Sequence, residues 1–84
     1  MADLKELIET IAKALADHPE AVSVRESERR SGTVYELHVA ATDLGRVIGR
    51  QGRTAAALRT LLASAAEVDD RRVSLDIRDQ SGGR

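Results

Sequence analysis

Residues 45–54 read Gly45-Arg46-Val47-Ile48-Gly49-Arg50-Gln51-Gly52-Arg53-Thr54, and the run Ala55-Ala56-Ala57-Leu58-Arg59-Thr60-Leu61-Leu62 follows directly. This stretch contains an apolar step, a four-residue turn bounded by glycines, and a helix-forming segment that begins at once. Glycine has no Cβ, so Gly49 and Gly52 can adopt left-handed dihedrals and allow another backbone to approach closely. A turn that opens a helix also directs unpaired N–H groups outward, where a phosphate can bind.

Two common phosphate-binding motifs do not fit this turn. A Walker loop ending at Gly52-Arg53-Thr54 requires glycine at Val47 and lysine at Arg53. A dinucleotide fingerprint ending at Gly52 also requires glycine at Val47. The remaining candidate is a Gly-x-x-Gly clamp between two helices, which holds the backbone of a single-stranded nucleic acid. Arginines lie in and beside the turn without an acidic residue among them, namely Arg46, Arg50, Arg53 and Arg59.

Length and composition limit the class of protein. A chain of 84 residues forms one small domain, which buries roughly 60% of its unfolded surface. The chain has no cysteine, which excludes disulfides and thiolate chemistry and fits a reducing cytosol. The apolar runs are too short to cross a bilayer, and no signal-peptide pattern is visible. The net charge is −1, so any attraction for nucleic acid is local to the arginine-rich turn.

Apolar residues at helical spacing predict a first helix that covers the core. They are Leu4, Leu7, Ile8, Ile11, Ala12 and Leu15. Asp3 is a candidate N-cap with Glu6 completing a capping box, and Asp17-His18-Pro19 ends the helix. A helix that binds a partner or a membrane surface has the same stripe, but the two strands that follow need a cover.

Period-two alternation then predicts a β-hairpin, with strands over residues 21–28 and 33–40 around the turn Arg29-Arg30-Ser31-Gly32. Its apolar face carries Val22 and Val24 on the first strand and Tyr35, Leu37 and Val39 on the second. The arginines of the turn are either solvated or in contact with nucleic acid.

The second half of the chain predicts two helices and a strand. Thr42 or Asp43 caps a short helix that ends near Ile48, and a longer helix runs from about Arg53 to Ala66. The residues of the longer helix expected to face inward are Ala55, Leu58, Leu61, Leu62 and Ala65. After a polar turn at 69–72, the apolar residues Val73, Leu75 and Ile77 alternate with polar ones in a last strand.

These elements give the order α-β-β-α-α-β. The second and last strands are joined through two helices, so a parallel pairing with a right-handed crossover is expected. Each strand has one apolar and one polar face, which predicts a three-stranded mixed sheet covered by helices on one face. The fold class is therefore α+β, with a single domain over residues 3–78 and a flexible C-terminal tail over residues 79–84.

This order of elements is that of a type II KH domain. From Leu4 to Ile77, the chain resembles the small single-KH RNA-binding proteins of bacteria, the KhpA type. The resemblance is carried by Val47-Ile48-Gly49-Arg50-Gln51-Gly52-Arg53-Thr54, by Arg59-Thr60-Leu61, and by Val73-Ser74-Leu75-Asp76-Ile77. The family commonly has lysine where Arg46 and Arg50 stand here, which keeps the charge.

The resemblance implies binding of single-stranded RNA and a cytoplasmic role as a post-transcriptional regulator or RNA chaperone. It also implies association with itself as a homodimer, with a larger RNA-binding partner that carries its own KH domain, or with both. No membrane association, cofactor or metal is implied.

The residues themselves indicate how RNA is held. Backbone N–H groups of residues 50–53 and the positive end of the following helix bind phosphates, and Arg50 and Arg53 add charge. Val47 and Ile48 are expected to form the floor of a groove for the bases, although one of the two is core, with Val39 or Leu58 at the wall. Arg46 and Arg59 either reach RNA or lie on a solvated helix face. The predicted RNA-binding residues are Arg46, Val47, Ile48, Gly49, Arg50, Gln51, Gly52, Arg53 and Arg59.

Other classes of protein fit less well. An RRM has a different order of elements and needs stacking aromatics, whereas Tyr35 is the one aromatic residue of the chain. His18 and His38 have no catalytic or metal-ligand constellation around them, so no enzyme and no catalytic residue is predicted. The main alternative is a KH-fold module for protein–protein interaction or dimerisation without significant RNA binding. The arginines around the turn argue against that alternative.

Overall fold

The computed structural model describes residues 4–68 and 72–79. The helices and strands are α1 (Leu4–Leu15), β1 (Ser23–Arg29), β2 (Gly32–Val39), α2 (Leu44–Ile48), α3 (Arg53–Val68) and β3 (Val73–Asp79). Short 3-10 turns are present at Pro19–Ala21, Ala41–Asp43 and Arg50–Gly52. The predicted order α-β-β-α-α-β is confirmed. The proposed Asp3 cap, residues 69–71 of the polar turn and residues 80–84 of the predicted tail lie outside the described residues, whereas Asp79 ends β3.

The three strands form one mixed sheet in the order β1-β2-β3. β1 and β2 are antiparallel and joined by a two-residue turn, with Arg29 opposite Gly32. β2 and β3 are parallel, with Tyr35 opposite Leu75. Because a parallel pair cannot be joined by a tight turn, the chain crosses over the sheet through α2 and α3. The crossover places the glycine turn, which lies between these two helices, away from the hairpin.

The hydrophobic core lies between the helices and one face of the sheet. Tyr35, Leu37 and Val39 of β2 are buried, whereas the alternate residues Glu36 and His38 are only partly covered on the opposite face. The helices contribute Leu4, Ile8 and Ala12 from α1, Val47 from α2, and Ala55, Leu58, Leu62 and Ala66 from α3. Complete burial of one large aliphatic side chain contributes roughly 1.5–3 kcal/mol. No helix among the described residues is long and apolar enough to cross a membrane.

Two predicted core positions are wrong. Leu61 of α3 is 45% exposed and Leu15 of α1 is 37% exposed. The buried stripe of α3 runs through Leu58, Leu62 and Ala66 at four-residue spacing, so Leu61 lies at its margin. A three-stranded sheet covers only a narrow face of each helix, and Leu15 lies in the last turn of α1, at the edge of that cover.

Candidate nucleic-acid interface

The turn between α2 and α3 has an unusual backbone. Gly49 has φ 83° and ψ 165°, a combination that is essentially restricted to glycine. Gln51 has φ 57° and Gly52 has φ 71°, so three of the four residues from Gly49 to Gly52 have positive φ. The Gly52 N–H donates to the Gly49 carbonyl at 3.0 Å, which closes the turn. The sequence prediction of left-handed dihedrals at both glycines is confirmed.

The two glycines meet different surroundings. A Cβ at Gly49 would lie 2.7 Å from the Thr54 Cβ and 2.8 Å from the Thr54 backbone nitrogen, so the turn packs tightly on the start of α3. A Cβ at Gly52 would have no atom of the described chain within 4 Å. The Cα of Gly52 therefore faces open space, where another backbone can approach.

The turn is followed by the 16-residue helix α3, which begins at Arg53. The first N–H groups of a helix lack an intrahelical acceptor and carry the positive end of its dipole. The Arg53 N–H is used, since it donates to the Arg50 carbonyl and continues the turn into the helix. The start of α3 and the open side of Gly52 are thus adjacent, and together they offer an anion a positive partial charge.

The four arginines of the stretch have different partners. Arg50 and Arg53 are exposed and make no ion pair or side-chain hydrogen bond within the described part of the chain. Arg46 is also exposed, but its Nη2 lies 3.0 Å from Asp17 Oδ2. Arg59 donates from Nε and Nη2 to the carbonyl oxygen of Leu75, at 3.3 and 3.1 Å. Of the four, only Arg50 and Arg53 present a guanidinium without a partner among residues 4–68 and 72–79.

The apolar residues predicted to line a groove are mostly core. Val47 is fully buried and Ile48 is half-buried, so of the two only Ile48 has accessible surface beside the turn. Val39 and Leu58 are both buried in the core cluster and form no wall of an open groove.

An open apolar groove lies instead between α3 and β3. It has a volume of about 190 Å³ and is lined by Arg59, Leu62, Val73, Ser74 and Leu75. Of these residues, sequence reasoning singled out only Arg59 as a site residue. The groove was not predicted; the predicted crossover, which connects α3 to the neighbouring strand β3, was the signal that could have indicated it.

Asp43 anchors the segment that leads into the turn. It was predicted as a cap of α2, but its side chain makes no capping bond there. Its Oδ1 accepts from the Asp17 N–H at 3.1 Å and its Oδ2 from the His18 N–H at 2.9 Å, at the end of α1. Burial raises the pKa of Asp43, but these hydrogen bonds and the nearby His18 and Arg46 outweigh burial and hold the pKa below its ordinary value. The carboxylate therefore stays charged and ties α2 to α1.

The sheet face opposite the helices is also charged, but it carries charges of both signs. Arg25, Glu36 and Asp76 are neighbours across the three strands. His38 Nε2 lies 3.4 Å from Glu36 Oε1, and Arg78 Nη2 lies 3.0 Å from Asp76 Oδ2. This face therefore offers an anion little net positive charge.

A Gly-x-x-Gly turn between two helices, placed on a β1-β2-β3 mixed sheet with a parallel β2–β3 pair, defines a type II KH domain. Comparison with known protein families agrees, because the family described as "KhpA/KhpB, KH domain" matches residues 5–77. The chain belongs to this family.

Curated relatives of similar length match almost from end to end. "RNA-binding protein KhpA" of Caldanaerobacter subterraneus subsp. tengcongensis is 50% identical over 72 residues, which cover 86% of this chain and 96% of the relative. The protein of the same name from Halalkalibacterium halodurans is 50% identical over 76 residues, covering 90% and 100%. That from Chlamydia muridarum is 44% identical over 77 residues, covering 92% and 99%. These relatives are named for RNA binding and not for a catalysed reaction.

Among solved structures, a chain in the crystal structure of Era in complex with MgGDPNP and nucleotides 1506–1542 of 16S ribosomal RNA is similar in fold. The TM-score is 0.59 at 19% identity, and the match covers 90% of this chain and 29% of that one. At this identity the likeness shows the fold alone.

Proposed function

We propose that this protein binds single-stranded RNA and holds its backbone at the turn from Gly49 to Gly52. The observation that carries the proposal is the open side of Gly52 next to Arg50 and Arg53, which have no ion-pair partner in the described part of the chain. The relatives named for RNA binding support the same conclusion.

The phosphates interact with the backbone and with two side chains. Successive phosphates accept hydrogen bonds from N–H groups at the turn other than those of Gly52 and Arg53, which bond within it, and interact with the positive end of α3. Arg50 and Arg53 add charge-assisted hydrogen bonds. Arg46 can add to this only by leaving Asp17, and it therefore contributes less. The bases extend over Ile48 towards the groove between α3 and β3, where the partly exposed Val73 supplies apolar contact.

The binding is expected to be weak and dominated by phosphate contacts. Base stacking on aromatic side chains contributes roughly 1–3 kcal/mol per base, but Tyr35, the one aromatic residue, is buried in the core. We expect micromolar or weaker affinity for short RNA. At roughly −0.7 per contact, a few neutralised phosphates give a log–log salt slope of about −2 to −3.

The decisive experiment is the double replacement Arg50→Asp with Gln51→Asp. It places negative charge where phosphates bind, and the fold should survive because both residues are exposed and aspartate tolerates the positive φ of position 51. We expect RNA affinity to fall at least about 100-fold, since each charge-assisted hydrogen bond contributes roughly 1.5–3 kcal/mol. Fluorescence anisotropy with short RNAs and circular dichroism are measured on the same samples.

The matched control is Ser23→Asp with Arg25→Asp, which makes the same change in net charge on the exposed sheet face. Its RNA affinity should change less than about 3-fold, because those residues lie on the sheet face opposite the helices that flank the clamp. An equal loss of RNA affinity in the two variants would show that the effect comes from the change in net charge and not from the clamp.

The wider role that we propose is post-transcriptional regulation or RNA chaperoning in the cytoplasm, without catalysis. The family description names KhpA and KhpB together, which supports a partner protein with a KH domain of its own. The homodimer rests on the resemblance alone. A second copy or a partner would raise the avidity for longer RNA. Light scattering at micromolar concentration tests self-association, and a monomer mass argues against the homodimer.

The second candidate is an interaction module that does not bind RNA. The exposed Leu61 on α3 favours it, because a large apolar side chain on the surface suits a protein contact. If the parent does not bind RNA, this candidate replaces the clamp. If the variant with aspartate at positions 50 and 51 binds RNA as well as the parent, RNA is held elsewhere on the domain and the clamp is overturned.

A further inference from the structure

The outer edge of β3 presents backbone groups to the groove beside α3. Along a strand, the N–H and C=O groups of successive residues point to opposite sides. The Thr33 N–H of β2 donates to the Arg72 carbonyl at 2.9 Å, so Arg72 and Ser74 point towards β2. Leu75 therefore directs its carbonyl and its N–H away from β2, to the open edge of the sheet.

Arg59 donates two hydrogen bonds to the carbonyl oxygen of Leu75. The two donors are its Nε and Nη2, which leaves the Nη1–Nη2 end of the guanidinium for other acceptors. Arg59 lies six residues after Arg53 on α3, which is about 9 Å along the helix axis. It therefore lies beyond the phosphate clamp, in the groove where the proposed function places bases.

We propose that Arg59 is a specificity-determining residue that makes this groove select guanine over adenine. The inference rests on the proposed function, since it concerns the base that follows the clamped phosphates. With the Leu75 carbonyl covered, the groove offers donors, namely the guanidinium and the Leu75 N–H. Guanine presents two acceptors, O6 and N7, that match a guanidinium end-on.

Adenine places an N6 amino donor where guanine has O6. That donor needs an acceptor, and the outward carbonyl of Leu75 is already engaged by Arg59. A donor facing a donor loses its hydrogen bond to water without replacement, which disfavours adenine. Arg59 therefore favours guanine in two ways: its guanidinium donates hydrogen bonds to guanine, and it makes the Leu75 carbonyl oxygen inaccessible to the adenine amino group.

The test uses short uridine-rich RNAs that carry a single guanine or a single adenine, moved through each position in turn. Fluorescence anisotropy gives the ratio of affinities for each guanine–adenine pair. For the parent we expect the best position to favour guanine by at least about 5-fold, the lower end of the discrimination by one bidentate contact. With Arg59→Ala, the ratio should fall to about one, because the donors are lost and the Leu75 carbonyl is freed.

Two variants separate base selection from charge. Arg53→Ala makes the same change on the same helix, and it should weaken guanine and adenine RNAs equally and keep the ratio. Arg59→Lys keeps the charge but loses the planar fork, so it should keep most of the affinity and lose the ratio. It also provides the answer if Arg59→Ala does not fold.

The outcomes distinguish this inference from the clamp. RNA binding with a guanine–adenine ratio near one in the parent, or a ratio unchanged in both Arg59 variants, overturns the role of Arg59 and leaves the clamp in place. A parent that binds none of these RNAs overturns both.

Discussion

The glycine turn between α2 and α3 and the sheet face opposite the helices both carry exposed arginine side chains. On the sheet face, Arg78 is paired with Asp76, and Arg25 lies across from Glu36. At the turn, Arg50 and Arg53 have no such partner among the described residues. The number of arginines on a surface therefore does not identify it as a nucleic-acid surface. What matters is whether the protein itself has already neutralised them.

The largest effects are expected from substitutions that deform the glycine turn and leave the sheet face unchanged. Gly49→Ala should lower the free energy of unfolding by about 3 kcal/mol, because it adds a clash with Thr54 to a backbone conformation restricted to glycine. Gly52→Ala meets open space, so it should cost only about 1–2 kcal/mol but lower RNA affinity at least about 10-fold by filling the approach path. Urea unfolding and anisotropy measure the two effects.

Gly45→Ala is the control for both changes. Gly45 lies within α2, and a Cβ there meets no atom within 4 Å among the described residues. It should leave RNA binding unchanged and stabilise the fold by about 0.5–1 kcal/mol. The assignment of separate tasks to Gly49 and Gly52 is wrong if their two variants lose stability and affinity in the same proportion.

A smaller effect is expected from removing the anchor behind the turn. Asp43→Asn should lower the midpoint of thermal unfolding at pH 7 by about 5 °C, because a neutral amide accepts the Asp17 and His18 N–H groups poorly. The pKa of Asp43 is lowered by folding, so its contribution to stability is complete above the unfolded-state value of about 3.9. It is lost as the pH falls through the lower folded-state pKa.

Thermal unfolding followed by circular dichroism between pH 7 and pH 2 tests this sign. The parent should lose more stability than the Asp43→Asn variant as the pH falls below about 4. Asp76→Asn on the sheet face is the control, since its ion pair with Arg78 is half-exposed and contributes little. A parallel pH dependence of the parent and the Asp43→Asn variant would show that the Asp43 carboxylate is not the anchor.

The smallest effect is expected from a substitution that frees one more arginine at the turn and so increases the difference in unpaired charge between the turn and the sheet face. Asp17→Asn removes the partner of Arg46, and we expect RNA affinity to rise about 2-fold at low salt, the order of an exposed ion pair. At 1 M salt, where the Debye length is about 3 Å, the gain should disappear. Anisotropy across a salt series gives both values.

Glu20→Gln is the matched control, because Glu20 is an exposed acid near Asp17 that faces His18 and not Arg46. If both replacements raise the affinity equally, the gain comes from net charge and not from the release of Arg46.

Local patterns were enough to predict the elements and the turn. Period-two alternation and helical spacing gave all six helices and strands, and the requirement for positive φ identified Gly49 and Gly52. The positive φ of Gln51 was not predicted, because most non-glycine residues avoid it. Leu61 was misplaced because helical spacing shows which side is apolar and not how wide a face the sheet covers.

Long-range partners were the part that the sequence did not reveal. The Asp43 carboxylate accepts hydrogen bonds from the N–H groups of His18 and Asp17, which lie 25 and 26 positions earlier in the chain. Its local neighbours suggested only a helix cap. The bond of Arg59 to Leu75 spans 16 positions and depends on how closely α3 approaches the edge of β3. Such contacts are set by the packing of whole elements, and no local pattern encodes them.

The shortness of α2 has a consequence for motion. A helix of five residues is unstable by itself in water, so α2 persists only while Val47 and Asp43 keep it docked on the rest of the domain. Local opening of α2 would therefore release the glycine turn with it, as one cooperative unit. We expect the amides of α2 and the turn to exchange with solvent together, faster than those of β2, and to slow together when an anion occupies the clamp.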